Sequence, residues 1–437
     1  MGRTGHAEVT QASAAGRSAK AAELRPAQLA WLAGSVFVVS VGYGALMPLL
    51  PGWLAPMMPA AAAAEVARQV GFLSGVYAAG VLVGALLWGV VSDRVGRGRI
   101  LIIGLVGYVA SLLLLLVPGL DGLWGIYALR GATGFFVAAV IPVVSALVAE
   151  HTPEKQRARR FAWLGGTSLL GLLFGPALNA AADGVGSWVG DGAVSSTLSA
   201  RVVIVLSALL GAVMMLGLAA TLPAARARDA AAPKNSASSA DGRTAALLWL
   251  SGAVMFVLAG FELGIVLQGQ LHTGVSLRQV ALMFAGCSLV MLGINAVLFF
   301  TALLEKVSAR ILIGAGLILA MIGLSVMAGH RFDAGMYLGV GLTSAGIGLV
   351  QPVIAYLAAG ASQQTLGATM GGLAAAAGFG QMLGSAAGGW LFGALAQRSF
   401  GWLTLPLVLM MGLLLVRARW WSVVAAAPTP SAPWQAR

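Results

Sequence analysis

Long apolar stretches alternate with short polar breaks along the whole chain. We count twelve such stretches, most of them close to the roughly 20 residues that an α-helix needs to cross a hydrocarbon core. They lie at residues 30–50, 71–91, 99–117, 123–149, 161–182, 201–221, 244–268, 277–303, 310–328, 335–359, 367–392 and 401–417. The pattern predicts an all-helical membrane protein with twelve transmembrane helices.

The longest polar break separates six predicted helices from the other six. We predict a cytoplasmic N-terminal tail at 1–29, a six-helix half at 30–222, a cytoplasmic linker at 223–243, a second six-helix half at 244–417 and a cytoplasmic C-terminal tail at 418–437. Residues 171–180 of helix 5 recur as 380–389 of helix 11, with glycines at matching places. Two related halves with a binding site between them are the architecture expected of a secondary transporter.

Composition and charge narrow the class of protein. Charged residues make up 9% of the chain and hydrophobic residues 59%, which excludes a soluble globular domain. Of the 26 Lys and Arg residues, 20 fall in the tails and in the loops after even-numbered helices. This bias predicts cytoplasmic termini by the positive-inside rule. The net charge of +12 therefore reflects topology, and we expect no nucleic-acid partner. The Ala- and Gly-rich composition suits a bacterial inner membrane.

A charged hairpin joins predicted helices 2 and 3. Its polar positions include Asp93, Arg94 and Arg97, and glycines stand at Gly89 and Gly96. Charges and glycines placed between two apolar spans indicate a tight turn at the membrane surface.

Four motifs resemble those of the major facilitator superfamily. The hairpin resembles the family's G-x-L-x-D-R-x-G-R-R/K pattern, with Val91 and Gly98 as departures. The segment 42–51 in helix 1 resembles a proline motif of the drug-efflux members, including tetracycline pumps. Arg130-x2-Thr133-Gly134 in helix 4 is similar to the R-x-x-Q-G motif.

The fourth motif lies in helix 5. Gly171-x3-Gly175-Pro176 is similar to a motif associated with antiporters, whose last two glycines are replaced here by Asn179 and Ala180. The resemblance covers essentially the whole chain and implies the major facilitator fold. It also implies helix packing through Gly89, Gly96, Gly171, Gly175 and Pro176.

The resemblance also implies a cytoplasmic gate. Asp93 would contact the N-terminal end of helix 11, and Arg97 beside Arg94 would pair with Glu150 at the end of helix 4. Such a latch would hold the cytoplasmic side shut, since carboxylates favour helix N-termini and guanidinium groups favour carboxylates. The alternative is that these charges only fix topology.

Two charges fall inside predicted spans. An arginine at the bilayer centre costs at least about 2.5–3.5 kcal/mol, so Arg130 should face a partner or a watery cavity. The alternative is that it extends to the outer interface. Glu262 in helix 7 is our candidate proton carrier, because a carboxyl in a cavity can exchange a proton for a cationic substrate. The alternative is a structural carboxyl that bonds to nearby backbone at the outer end of helix 7.

Uncharged polar side chains at mid-span are candidates for the substrate cavity. They are Asn179, Asn295, Gln351 and Gln381, and Tyr43 is added to them because its aromatic ring could offer a face to planar or cationic compounds. The alternative is that they hold helices together or, for Tyr43, that the ring packs within the bundle.

The sequence therefore predicts a monomeric secondary transporter that works by alternating access and exports small amphipathic molecules in exchange for protons. No H-E-x-x-H, G-x-S-x-G or G-x4-G-K-[ST] motif occurs, so we expect neither an enzyme nor a cofactor other than the proton gradient. One alternative is a dedicated metabolite or siderophore transporter working by symport, export or facilitated diffusion. An alternative of another class is a membrane enzyme or scaffold that transports nothing.

Overall fold

The computed structural model describes residues 24–59, 62–120, 122–152, 154–189, 196–221, 242–268, 272, 275–301, 303–330, 334–359 and 363–416. Nearly all of these residues are helical. The main helices are α1 Pro26–Leu46, α2 Ala63–Val95, α3 Arg97–Leu114, α4 Leu123–Val137 continued by Ile141–Glu150, α5 Glu154–Val189, α6 Ser196–Thr221, α7 Gly242–Val266, α8 Leu277–Phe300, α9 Ala309–Gly329, α10 Ala334–Ala359, α11 Gln363–Leu395 and α12 Thr404–Val416.

The described helices form eleven continuous apolar stretches of membrane-spanning length. The last stretch, Thr369–Val416, has 48 residues, and at 1.5 Å per residue it would be about 72 Å long. That length exceeds twice the hydrocarbon core of about 30 Å. The chain turns there at Ala396, whose φ of 51° ends α11, so this stretch contains two crossings. The prediction of twelve transmembrane helices is confirmed.

Proline and glycine explain the main interruptions. Pro48 and Pro51 lack a backbone N–H, and α1 passes into the 3-10 turn Met47–Leu49 at this point. Pro142 stands in the first turn of the second α4 segment, after a break at residues 138–140. Gly96 joins α2 to α3 with a φ of 103°, a backbone conformation that favours glycine.

Helix ends extend beyond the predicted apolar runs. The structure begins α1 at Pro26 rather than at residue 30, and extends α2 to Ala63–Val95 rather than 71–91. Backbone hydrogen bonds continue through polar residues outside the apolar core, so apolar runs underestimate helix length. The predicted linker lies mostly outside the described residues, as do residues 1–23 of the predicted N-terminal tail and the whole predicted C-terminal tail, 418–437.

Each half has its own apolar core. One cluster of buried side chains comes mainly from α1–α6, and a second comes from α7–α12. The repeated glycines occupy matching places in the two halves. A Cβ at Gly171 would meet Phe37 O at 2.5 Å in α1, and one at its counterpart Gly380 would meet Gly252 O in α7. The close packing of α5 on α1 is thus repeated by α11 on α7, as expected of two pseudosymmetric halves.

We call the side of the bundle on which α1 begins and α12 ends the terminal side, and the opposite side the distal side. Gln28 Nε2 donates to Thr221 O at 3.0 Å, which joins the start of α1 to the end of α6 on the terminal side. On the distal side, Gln397 Nε2 donates to His330 O at 2.8 Å and ties the turn after α11 to the end of α9.

The two halves pack together through α2 on α11 and α5 on α8. Between α2 and α11 the close approaches run from Ala64 opposite Gly393, at the distal side, to Leu82 opposite Gly378 near mid-membrane. Apolar residues from the distal parts of α7, α8 and α11 also join the first core. These residues are Leu263, Val266, Leu267, Phe284 and Phe392. The distal halves of the two bundles are therefore packed against each other.

Candidate functional site

Glu262 lies in α7, four positions before Val266, and so in the distal half of its helix. Its neighbours Phe261 and Leu263 are fully buried in the two apolar cores, whereas Glu262 keeps part of its accessible surface. Its carboxylate oxygen Oε2 accepts a long hydrogen bond from Tyr43 Oη at 3.5 Å. The carboxyl group of the second half is thereby joined to α1 of the first half.

Tyr43 stands at the centre of this contact. Its hydroxyl also lies within interaction range of the Gln381 amide on α11. Its ring packs on Tyr77 of α2, with centroids 5.3 Å apart and ring planes at 34°. The glycine after Tyr43 serves a different contact, because a Cβ at Gly44 would meet Leu172 O of α5 at 2.9 Å.

Arg130 continues the cluster into the first half. Its guanidinium carbon lies 4.5 Å from the centroid of the Tyr77 ring, which gives a cation–π contact. The residue is 2% exposed, so Arg130 does not extend to the outer interface. Its atoms Nε and Nη2 have no hydrogen-bond partner among the residues that the structure describes.

The four side chains form a continuous row across the interface between the halves. Glu262, Tyr43, Tyr77 and Arg130 come from α7, α1, α2 and α4. A tyrosine hydroxyl donates to a carboxylate and accepts from a protonated carboxylic acid. The Glu262–Tyr43 hydrogen bond can therefore form in both protonation states, with opposite donors.

The other predicted cavity residues lie in different surroundings. Asn295 Nδ2 donates to Met291 O of its own helix at 2.8 Å. Asn179 is buried, and neither side-chain atom has a partner in the described part of the chain. Gln351 Nε2 is likewise buried without a partner there. Among the predicted residues, Tyr43 and Gln381 are the pair that meets near Glu262.

The structure describes only part of the predicted cytoplasmic gate. The side chains of Asp93 and Glu150 lie outside the described residues, although their backbones belong to α2 and α4. Arg94 is exposed at the terminal end of α2, and Arg97 begins α3. The gate stays a prediction.

The glycine motifs have distinct structural reasons. A Cβ at Gly175 would collide with the Gly44 backbone, and one at Gly171 would lie 2.7 Å from Ser40 Cβ, so both positions need glycine for packing on α1. Pro176 lies inside α5, one residue after this contact. Gly96 is required by its positive φ instead. A Cβ at Gly89 would meet no atom of the described residues within 4 Å, so helix packing does not require glycine there.

Sequence reasoning missed Tyr77 and Tyr108. Tyr108 lies on α3, is buried and approaches both Tyr77 and Arg130. Their position along the predicted spans could have identified them. Tyrosine is enriched at membrane interfaces, whereas these two tyrosines lie near the middle of apolar spans. In the described ranges no three His, Cys, Asp or Glu side chains come together as metal ligands would.

Comparison with known proteins places this arrangement in a family. The chain matches the Major Facilitator Superfamily over residues 32–297, more than half of its length. The chain belongs to this superfamily. As a member of this superfamily the chain is grouped with membrane transporters and not with enzymes.

Relatives by sequence match the chain over a shorter region. The class B tetracycline resistance protein of Escherichia coli is 35% identical over 137 residues, which cover 31% of this chain and 33% of the relative. The quinolone resistance protein NorA of Staphylococcus aureus is 23% identical over 144 residues, 33% of this chain and 35% of the relative. The matches thus span about a third of these relatives' length.

Solved structures match the fold over nearly the whole chain. The human organic anion transporter MFSD10 (TETRAN) aligns with a TM-score of 0.68 at 17% identity, covering 90% of this chain and 100% of that one. The xylose transporter XylE from Escherichia coli, in its inward open conformation, aligns with a TM-score of 0.66 at 16% identity, covering 92% and 97%. At these identities the likeness concerns the fold alone.

Proposed function

We propose that this transporter exports small amphipathic molecules in exchange for protons, with Glu262 as the proton-carrying carboxyl group. The observation that carries the proposal is the Glu262–Tyr43 contact, because it joins the two halves at a carboxyl that keeps accessible surface. A group at this interface senses the relative movement of the halves. It is therefore suited to exchange a proton for substrate during the transport cycle.

Coupling follows from competition at one carboxyl group. A protonated Glu262 is neutral and offers little to a cationic substrate, whereas the carboxylate attracts one. Binding of the cation and binding of the proton therefore exclude each other, which is the minimum requirement for exchange. Arg130 contributes a fixed positive charge at the other end of the row, linked through the Tyr43 and Tyr77 rings.

In alternating access, the two halves move relative to each other and expose the site first to one side of the membrane and then to the other. The distal contacts of α2 with α11 close one side, and their separation would expose Glu262 to that side. We assign the terminal side to the cytoplasm because 20 of the 26 Lys and Arg residues belong, by sequence, to the tails and to the loops after even-numbered helices. The protein would then reside in a bacterial inner membrane, work as a monomer and pass through an inward-facing state.

The export direction draws on the relatives. The tetracycline and quinolone resistance proteins are similar in part of their length, and the helix 5 motif resembles that of antiporters. Their named activities suggest planar amphipathic compounds as the first substances to test.

Everted membrane vesicles with a respiration-driven pH gradient test the proposal. A pH-sensitive dye reports the gradient while cationic, zwitterionic and anionic compounds are added to wild type and to Glu262→Gln. We expect several compounds to dissipate the gradient with wild type and not with the variant. The matched control is Glu65→Gln, because Glu65 forms an ion pair with Arg68 at the distal end of α2, away from Tyr43.

Two results would contradict the proposal. If Glu262→Gln dissipates the gradient as well as wild type, another group carries the proton. If no compound is active although the wild-type protein is present and folded, a dedicated metabolite transporter explains the fold better.

A further inference from the structure

A second polar cluster lies inside the first half, behind the Tyr77 ring. It consists of Arg130 on α4, Tyr108 on α3 and Ser207 on α6. All three are buried, at 2%, 2% and 3% exposure. Tyr108 Oη and Ser207 Oγ both lie close to the point where a Cβ on Gly42 would stand, with Ser207 Oγ 3.6 Å from it. The cluster therefore lies between α1, α3, α4 and α6.

These buried atoms have unused hydrogen-bonding capacity. Arg130 Nε and Nη2, Tyr108 Oη and Ser207 Oγ all have no hydrogen-bond partner among the described residues. Buried polar atoms in native proteins are almost always satisfied, by protein groups or by bound solvent or ions. Four such atoms from three neighbouring helices indicate that something binds between them.

The positive charge of Arg130 indicates which kind of ligand suits the cluster. The guanidinium is always charged, and isolating it from water is costly unless a countercharge is present. Its described electrostatic neighbours are Tyr77, Tyr43 and Tyr108, and none of them is a carboxylate. Arginine only donates hydrogen bonds, and the hydroxyls of Tyr108 and Ser207 are free to donate as well. Such a group of donors around one positive charge suits an anion better than a neutral molecule.

We propose that Arg130, Tyr108 and Ser207 bind a monovalent anion within the first half. Gly42 leaves room for the Tyr108 hydroxyl to point toward Ser207, because a methyl group at Gly42 would collide with that hydroxyl and displace it from the cluster. The anion is either an inorganic halide such as chloride or the carboxylate of a transported molecule. This site shares Arg130 with the row that leads to Glu262 but includes neither Glu262 nor Tyr43, and the proposal does not depend on the direction of transport.

Thermal unfolding of the purified full chain tests the proposal, with tryptophan fluorescence as the readout. Ionic strength is held constant while sodium chloride or sodium formate replaces sodium MES, whose bulky sulfonate does not fit an enclosed site. We expect a saturable rise in Tm of about 2–4 °C, since a ligand that binds the native state stabilises it. A rise with chloride identifies a halide site, and a rise with formate alone identifies a carboxylate site.

Three variants localise the effect. Gly42→Ala should abolish the rise, whereas the matched control Gly293→Ala should keep it, because a Cβ at Gly293 would meet nothing within 4 Å. Tyr108→Phe and Ser207→Ala should each raise the half-saturating concentration about tenfold, the equivalent of one lost hydrogen bond to a charged group. If Gly42→Ala does not fold, Tyr108→Phe and Ser207→Ala alone test whether the anion binds at this cluster.

The proposal is overturned if the Tm of wild type is the same in chloride, formate and MES, since water then satisfies the cluster. It is also overturned if Tyr108→Phe and Ser207→Ala respond as wild type does. Because binding and not transport is measured, a failure of the exchange mechanism at Glu262 leaves this test unaffected.

Discussion

At the scale of single residues, Tyr43 has the contacts of a coupling group. Its hydroxyl meets Glu262 at 3.5 Å and its ring packs on Tyr77. Tyr43→Phe keeps the ring contact and removes the hydrogen bond, worth about 1 kcal/mol. We therefore expect a roughly fivefold loss of proton-coupled transport, measured as the initial rate of gradient dissipation in everted vesicles.

The control for Tyr43→Phe is Tyr356→Phe on α10, where the side chain is 37% exposed. It should transport at the wild-type rate. An unchanged rate for Tyr43→Phe would mean that the hydroxyl takes no part in coupling.

The contribution of Arg130 to stability requires its planar guanidinium as well as its charge. Arg130→Lys keeps the charge but loses the flat contact with the Tyr77 ring and several donors. A cation–π contact is worth about 0.5–2 kcal/mol, so the variant should unfold at lower temperature than wild type. The measurement is Tm in detergent, compared with Arg201→Lys at the exposed distal end of α6. Equal Tm values for both variants would show that charge alone matters at position 130.

The sequence identified Glu262, Arg130, Tyr43 and Gln381 as unusual, but not how they are arranged. A polar residue in an apolar span is visible in the sequence, because it breaks the pattern. Whether it faces a neighbouring helix, the cavity or lipid depends on helix rotation and tilt, which one sequence does not specify. Asn295, predicted for the cavity because it is a polar residue at mid-span, bonds to its own helix.

At the scale of helices, α2 and α11 form the contact that must open on the distal side. A Cβ at Gly71 would lie 2.6 Å from Gly389 Cα, so Gly71→Val should push the two halves apart there. The expected result is a longer distance between spin labels at Arg68→Cys and Arg398→Cys in a Cys287→Ser background. Both label sites are exposed on the distal side, one in each half.

Gly89→Val is the matched control for Gly71→Val. It lies on the same helix, and a Cβ there would meet nothing within 4 Å. The label distance should stay at the wild-type value. If Gly71→Val also leaves the distance unchanged, the α2–α11 contact does not hold the distal side closed.

Helix number and order followed directly from the apolar pattern, because every span must satisfy its backbone hydrogen bonds internally. Boundaries were less accurate. The prediction gave helix 5 at 161–182, whereas α5 runs over Glu154–Val189, since a charged segment such as 154–160 can remain helical outside the hydrocarbon core. The break in α4 before Pro142 is not predicted, because residues 134–144 on both sides of it are apolar and give no sign of an interruption other than the proline itself.

At the scale of the whole molecule, the distribution of Lys and Arg predicts how the bundle is oriented in the membrane. The structure brings Pro26 and Val416 to the same side, and the positive-inside rule predicts that this side faces the cytoplasm. A fluorescent protein fused after Arg437 should therefore fluoresce, and alkaline phosphatase at that position should be inactive. Phosphatase inserted beside His272, at the distal end of α7, should be active. The reverse pattern would invert the proposed transport direction.

The central claim is that Glu262 carries the proton that drives export. Reconstituted liposomes separate this role from substrate binding, using the compound most active in the vesicle assay. We predict that Glu262→Gln still exchanges labelled for unlabelled substrate across the membrane within about twofold of the wild-type rate, while accumulation driven by a pH gradient is abolished. Accumulation at the wild-type level by this variant would contradict the account, and loss of both activities would show that Glu262 serves binding rather than proton coupling.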